Sequence, residues 1–245
     1  MVVSRRQKLT LILLLIYWPG VFILTHISIP GLVRKAQVSD KNLHFLAYLI
    51  LTFLLWFAIS PYKKVNWRKA AAWLVLLVVV WYGVVDEVLQ SYVGRSCDAM
   101  DFLADLAGTL TGLILFSFFN FWPVFLIVTG INIFALTNLA RANLAELVPI
   151  TNAMFHLFAY AFFTMLWLHC IHLFLPMKAP KLKWIITALL PPVCFLLIVK
   201  SFSVILGKEL DTKDMIVAVA GIIGVVVAIY LNALFRRDIS QKSSP

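Results

Sequence analysis

The sequence predicts an all-α fold: a polytopic membrane helical bundle of about eight transmembrane helices, built as two parallel four-helix repeats. Three observations carry this reading. Hydrophobic residues make up 62% of the 245, where soluble domains run nearer to half. Successive apolar runs reach about 20 residues, enough to cross a hydrocarbon core of about 30 Å. Short motifs also recur at one nearly fixed spacing, the mark of internal duplication.

The predicted spans are 9–28, 42–60, 70–92, 101–121, 122–139, 153–175, 184–205 and 215–235. Each break carries a loop signal: Pro30-Gly31, Pro61 with Lys63-Lys64, Gly94-Arg95, Trp122-Pro123, Arg141-Ala142-Asn143, residues 176–183 with Pro176, and Gly207-Lys208. Pro191-Pro192 predicts a kink in the seventh span, tolerable in a membrane where neighbouring helices re-satisfy freed backbone groups. The basic residues 1–8 ahead of an apolar run resemble a signal peptide. The run is about 20 residues long, lacks an A-x-A-like site, and is echoed later in the chain. A retained first helix is therefore expected.

The echoes define the repeat. Phe22 to Thr25 recurs as Phe134 to Thr137, and His44, Ala47 and Tyr48 recur as His156, Ala159 and Tyr160. Gly94, Arg95, Asp98, Asp101 and Gly108 recur as Gly207, Lys208, Asp211, Asp214 and Gly221. Residues 1–121 and 122–245 are thus expected to be two domains, each a four-helix unit, the second ending in a cytoplasmic tail. An even number of crossings gives both the same orientation. The second copy has lost much of the polar set: Asp86, Glu87, Gln90, Asp105 and Lys41 become Val199, Lys200, Ser203, Ala218 and Ala153. That places the chemistry in the first copy and makes the second a degenerate partner.

The formal charge is +10, and the basic residues are spread over short loops. That pattern reads as topology and contact with anionic membrane lipids rather than nucleic-acid binding. Thirteen of the 21 Lys and Arg fall on the side of the N-terminus: Arg5, Arg6, Lys8, Lys63, Lys64, Arg68, Lys69, Lys178, Lys181, Lys183, Arg236, Arg237 and Lys242. The positive-inside rule makes that side cytoplasmic, with both termini inside. Lys41, His44, Glu87, Arg95, Asp98 and Asp101 then lie toward the outer side.

Five of the eleven acidic residues, Asp86, Glu87, Asp98, Asp101 and Asp105, sit within one twenty-residue window. Ionised groups within a membrane cost roughly 2.5–3.5 kcal/mol each on insertion scales, so they are usually paired, cavity-lining or functional. Helical spacing puts His44 with Tyr48, Asp86 with Gln90, and Asp101 with Asp105, Gly108 and Gly112 on shared faces. Gly108 and Gly112 form a small-xxx-small surface expected to bring the fourth helix close to the second or third. Three chemistries fit. A buried carboxylate can act as general acid or base. Carboxylates with His44 can hold a divalent cation, although no metal or cofactor is specified by the pattern. Lys41 and Arg95 can hold a phosphate, with Arg95 capable of a bidentate grip. The alternative is a closed salt-bridge network of Lys41, Arg95, Asp98 and Asp101 that fixes packing. Asp86, Glu87, Gln90, Asp105 and His44 are the expected catalytic set. Lys41, Arg95, Tyr48, Asp98 and Asp101 are the expected substrate-binding set, with Asp98 and Asp101 also suited to a helix N-terminus.

Other features carry less. His169 and His172 are three apart but have no acidic residue near in sequence. Cys97, Cys170 and Cys194 show no metal spacing and are expected to be packing residues. The eight tryptophans are expected chiefly as lipid-facing or interfacial anchors.

The first repeat resembles the VanZ-like family. The carrying residues are residues 40–45 with Lys41 and His44, then Tyr48, then Asp86-Glu87 with Gln90, then Arg95, Asp98 and Asp101, then Ala104, Gly108 and Gly112. The family pattern often has Asn where this chain has Asp105. The second half matches at His156, Tyr160, Asp211, Asp214 and Gly221. The resemblance implies a bacterial inner-membrane protein of the cell envelope, linked to resistance to teicoplanin, a lipid-bearing glycopeptide. It implies no reaction. The leading expectation is an outer-facing polar pocket that binds or modifies a lipid-linked or lipid-bearing envelope molecule. An ion-coupled transporter and a structural scaffold are the alternatives.

Overall fold

The computed structural model describes residues 5–26, 39–93, 98–139, 149–174 and 181–242. These form eight α-helices: α1 (Arg5–His26), α2 (Asp40–Ile59), α3 (Ala70–Tyr92), α4 (Ala99–Phe118), α5 (Phe121–Leu139), α6 (Pro149–Phe174), α7 (Leu182–Ile205) and α8 (Thr212–Lys242). All eight are long and apolar enough to cross a membrane. The chain is an all-helical, multi-pass membrane protein in contact with lipid.

Helix ends depart from the sequence expectation for local reasons. α4 begins at Ala99 because Asp98 caps it, accepting the Met100 N–H at 2.8 Å. α6 begins at Pro149, the first-turn position where a missing N–H costs nothing. α8 runs on to Lys242, since no Gly or Pro breaks residues 225–242. α7 carries Pro191 and Pro192 inside one continuous helix, and Gly207, at φ +78°, follows its end.

The chain divides into two compact units, Met1–Val128 and Thr129–Pro245, the division falling within α5. In the first unit α2 is the central helix. It packs most extensively against α4, and α1 and α3 also lie against it. Gly108 sets the α2–α4 distance: a side chain there would run into the Phe45 carbonyl of α2. Gly112 likewise faces Thr52. The outward faces are apolar and exposed, as Leu15, Ile16, Leu77 and Trp81 show. Such faces suit a hydrocarbon solvent.

In the second unit α6 packs most extensively against α8, with α7 against both. Gly221 of α8 lies against the Leu157 carbonyl of α6, as Gly108 lies against Phe45. Two tryptophans depart from the expected lipid-facing role. Trp184 is fully buried among Leu168, Ile171, Ala188 and Val226. Trp56 is buried too, and its indole N–H donates to the Lys63 carbonyl at 2.9 Å. Of the cysteines, Cys170 is buried as expected, Cys194 is exposed, and Cys97 lies outside the described residues.

Candidate functional site

Three helices of the first unit each turn a polar stripe inward. On α2, His44, Tyr48 and Thr52 are spaced by four and are 3%, 0% and 0% exposed. On α3, Asp86, Glu87 and Gln90 are buried; on α4, Asp101 and Asp105 are. The periodicity that aligned them in the sequence also faces them toward one another. The close α2–α4 approach at Gly108, one turn from Asp105, then brings His44 and Asp105 into contact.

The cluster has a centre, a flank and a rim. At the centre, His44 Nδ1 lies 2.9 Å from Asp105 Oδ1 and 3.9 Å from Glu87 Oε1. The other Glu87 oxygen accepts the Asp98 backbone N–H at 3.0 Å, which ties α3 to the start of α4. At the flank, Asp86 accepts from Thr25 Oγ1 of α1 at 3.0 Å and from Gln90 Nε2 at 2.9 Å. Tyr82 OH stands farther off, at 3.5 Å. At the rim, Lys41 Nζ lies 2.7 Å from Asp98 Oδ2 and 3.5 Å from Asp101 Oδ1. The Lys41 and Asp98 side chains are partly exposed. That ammonium and the Met100 N–H hold the Asp98 carboxyl below its ordinary pKa.

Nine of the ten sequence-predicted site residues therefore converge; Arg95 lies outside the described residues. The convergence is not a closed set of bonds. Among the described residues, His44 Nε2, Tyr48 OH, Glu87 Oε1, Gln90 Oε1 and Asp105 Oδ2 are buried without a hydrogen-bond partner. Buried polar atoms are rarely left so, because each costs about 1–3 kcal/mol of desolvation. Sequence reasoning missed two contributors. Thr25 and His26, which lies 3.7 Å from Asp86, approach the flank from α1. Thr25 was visible only as part of a repeat signature, and the apolar run before it gives no cue to its orientation.

The corresponding place in the second unit is built differently. Asp214 of α8 accepts from Asn152 Nδ2 at 2.7 Å and lies 2.8 Å from His156 Nε2. Lys200 Nζ of α7 stands 3.2 Å from the same carboxylate. Ser203 donates to Asn138 at 2.7 Å. One carboxylate has three partners there, and one is a built-in cation.

Fold and cluster together define a multi-pass helical membrane protein with an ionisable centre buried in its first unit. Residues 5–120, in the first half of the chain, match the family model described as VanZ/LLP1, as a VanZ-like first unit would. That match spans every described residue of the cluster. Comparison with curated proteins gives no match, and comparison with solved structures gives none.

Proposed function

We propose that the first unit is the working half of a bacterial envelope protein, and that its polar cluster binds or modifies the polar part of a lipid-linked or lipid-bearing envelope molecule. The observation that carries this reading is the set of buried side-chain oxygens of Glu87, Gln90 and Asp105 that have no hydrogen-bond partner among the described residues. In the second unit both oxygens of Asp214 have partners, so the open carboxylate oxygens of Glu87 and Asp105 distinguish the first unit. In the proposed division of labour, His44, Glu87 and Asp105 move protons or polarise the bound group. Asp86 and Gln90 hold the α3 wall. Lys41, with Arg95, meets phosphate or carboxylate at the rim, where Lys41 exchanges Asp98 for the ligand. The basic loop residues Lys63, Lys64, Arg68 and Lys69 lie at the other end of α2 and α3 from the rim, and their charge supports a cytoplasmic placement of that end. The cluster then faces outward, where envelope lipids and teicoplanin are met. We read the second unit as a diverged copy of the first, with the chemistry lost.

The test is teicoplanin susceptibility in cells expressing Glu87→Ala or Asp105→Ala at wild-type membrane levels. Loss of the resistance contribution in both variants is expected. Full retention in both rejects the proposal.

A further inference from the structure

We infer that His44, Glu87 and Asp105 form a binding site for one divalent transition-metal ion. This stands apart from the identity of any lipid substrate. One donor atom from each residue lies within 4.8 Å of the others. Ligands at about 2.0–2.2 Å from an ion stand roughly 2.8–3.6 Å from one another in octahedral or tetrahedral order. The His44 Nδ1 distance of 2.9 Å to Asp105 lies within that spacing and the 3.9 Å to Glu87 slightly beyond it, so small side-chain shifts suffice. An imidazole with two carboxylates is a donor set for Zn2+ or Mn2+ rather than for a soft ion.

Two further observations point to a ligand. Glu87 Oε1 and Asp105 Oδ2 lack partners although their residues are only 3% and 2% exposed.

The second observation is one of charge. Among the described residues, no lysine or arginine pairs with Asp86, Glu87 or Asp105. The second unit places Lys200 of its third helix against the His156–Asp214 pair. The first unit has Glu87 of its third helix against the His44–Asp105 pair. Where one unit supplies an ammonium, the other supplies another carboxylate, and among the described residues no lysine or arginine of the chain balances it, which leaves room for a bound cation.

The full chain, purified in detergent without a polyhistidine tag and stripped with chelator, would be titrated with Zn2+ and separately with Mn2+. Bound metal would be read by elemental analysis and stability by thermal unfolding. We expect one tightly held ion per chain for at least one metal, a raised Tm on loading, and at least a tenfold weaker affinity in Glu87→Gln and Asp105→Asn. Glu87→Lys, which copies the Lys200 arrangement, should abolish loading and make Tm independent of metal. Wild-type protein that holds neither metal stoichiometrically overturns the inference. So does binding that Glu87→Gln and Asp105→Asn both leave unchanged. The site shares His44, Glu87 and Asp105 with the proposed lipid function, but metal content and Tm are read without any lipid or antibiotic, so failure of the metal site is distinguishable from failure of that function.

Discussion

Gly108→Ala should loosen the α2–α4 contact on which the cluster depends. An added Cβ would meet the Phe45 carbonyl well inside van der Waals distance and stand 3.0 Å from the Leu49 nitrogen. Both obstacles are backbone, so no flexible side chain can step aside. Restoring a Cβ···O separation of about 3.3 Å parts the helices by roughly 1 Å. A gap of about 0.5–1 Å forfeits a quarter to a half of each dispersion contact along the seam. Overpacking costs about 1–3 kcal/mol, and the rigid obstacle argues for the upper end. Alanine returns up to about 1 kcal/mol of helix propensity. The net loss is about 2 kcal/mol, or a Tm lower by about 4–8 °C for a chain of this size. Thermal unfolding of the detergent-solubilised protein reads it. Gly224→Ala is the control, since nothing lies within 4 Å of a Cβ there. It should be neutral or stabilising. A Gly108→Ala protein as stable as Gly224→Ala would refute the close-approach argument.

Two further outcomes follow from the charge arrangement. Lys200→Met leaves the buried Asp214 with two neutral-capable partners, Asn152 and His156. Breaking a buried pair costs about 3–5 kcal/mol, and the two remaining partners should hold the loss near about 3. Adding Asp214→Asn should recover most of it, and chemical denaturation of the single and double variants checks both. Asp98 governs a pH effect. Its folded pKa is depressed by Lys41 and the Met100 N–H. Its contribution is therefore complete above the unfolded value of about 3.9 and is lost as pH falls through the lower folded value. Asp98→Asn should flatten the Tm–pH curve below about pH 4 and leave its slope between pH 6 and 8 unchanged. An altered neutral slope would contradict the assignment.

Much of the first unit was legible because its polar residues stand against an apolar background. Asp86, Gln90, His44 and Tyr48 announced their inward faces by four-residue spacing alone, and Gly108 with Gly112 announced the close helix pair. The less legible features depend on the third dimension. Thr25 is an ordinary helix threonine until α1 is laid beside α3, where it becomes the donor that holds Asp86. Trp56 and Trp184 carry a large apolar body that lipid or core can accept equally. Trp56 is held inside by the Lys63 carbonyl, and Trp184 by the small Ala188 and the shape of its core.

Helix bounds were blurred where capping and propensity act without hydrophobic change, as at Asp98 and along residues 235–242.

Charge identity was legible before its meaning was. The replacement of Glu87 by Lys200 at the repeat spacing reads, in sequence, as loss of a functional carboxylate. In space, Lys200 sits on a carboxylate that already has a histidine, and it neutralises what would otherwise be buried negative charge. The same geometry with Glu87 in that place doubles the negative charge instead of cancelling it. A histidine can offset at most one of the two carboxylates that face it. Among the described residues, the units therefore differ in whether a lysine stands against the histidine–carboxylate pair. In the second unit that cation is Lys200, built into the chain; for the first unit the proposed metal ion would take its place.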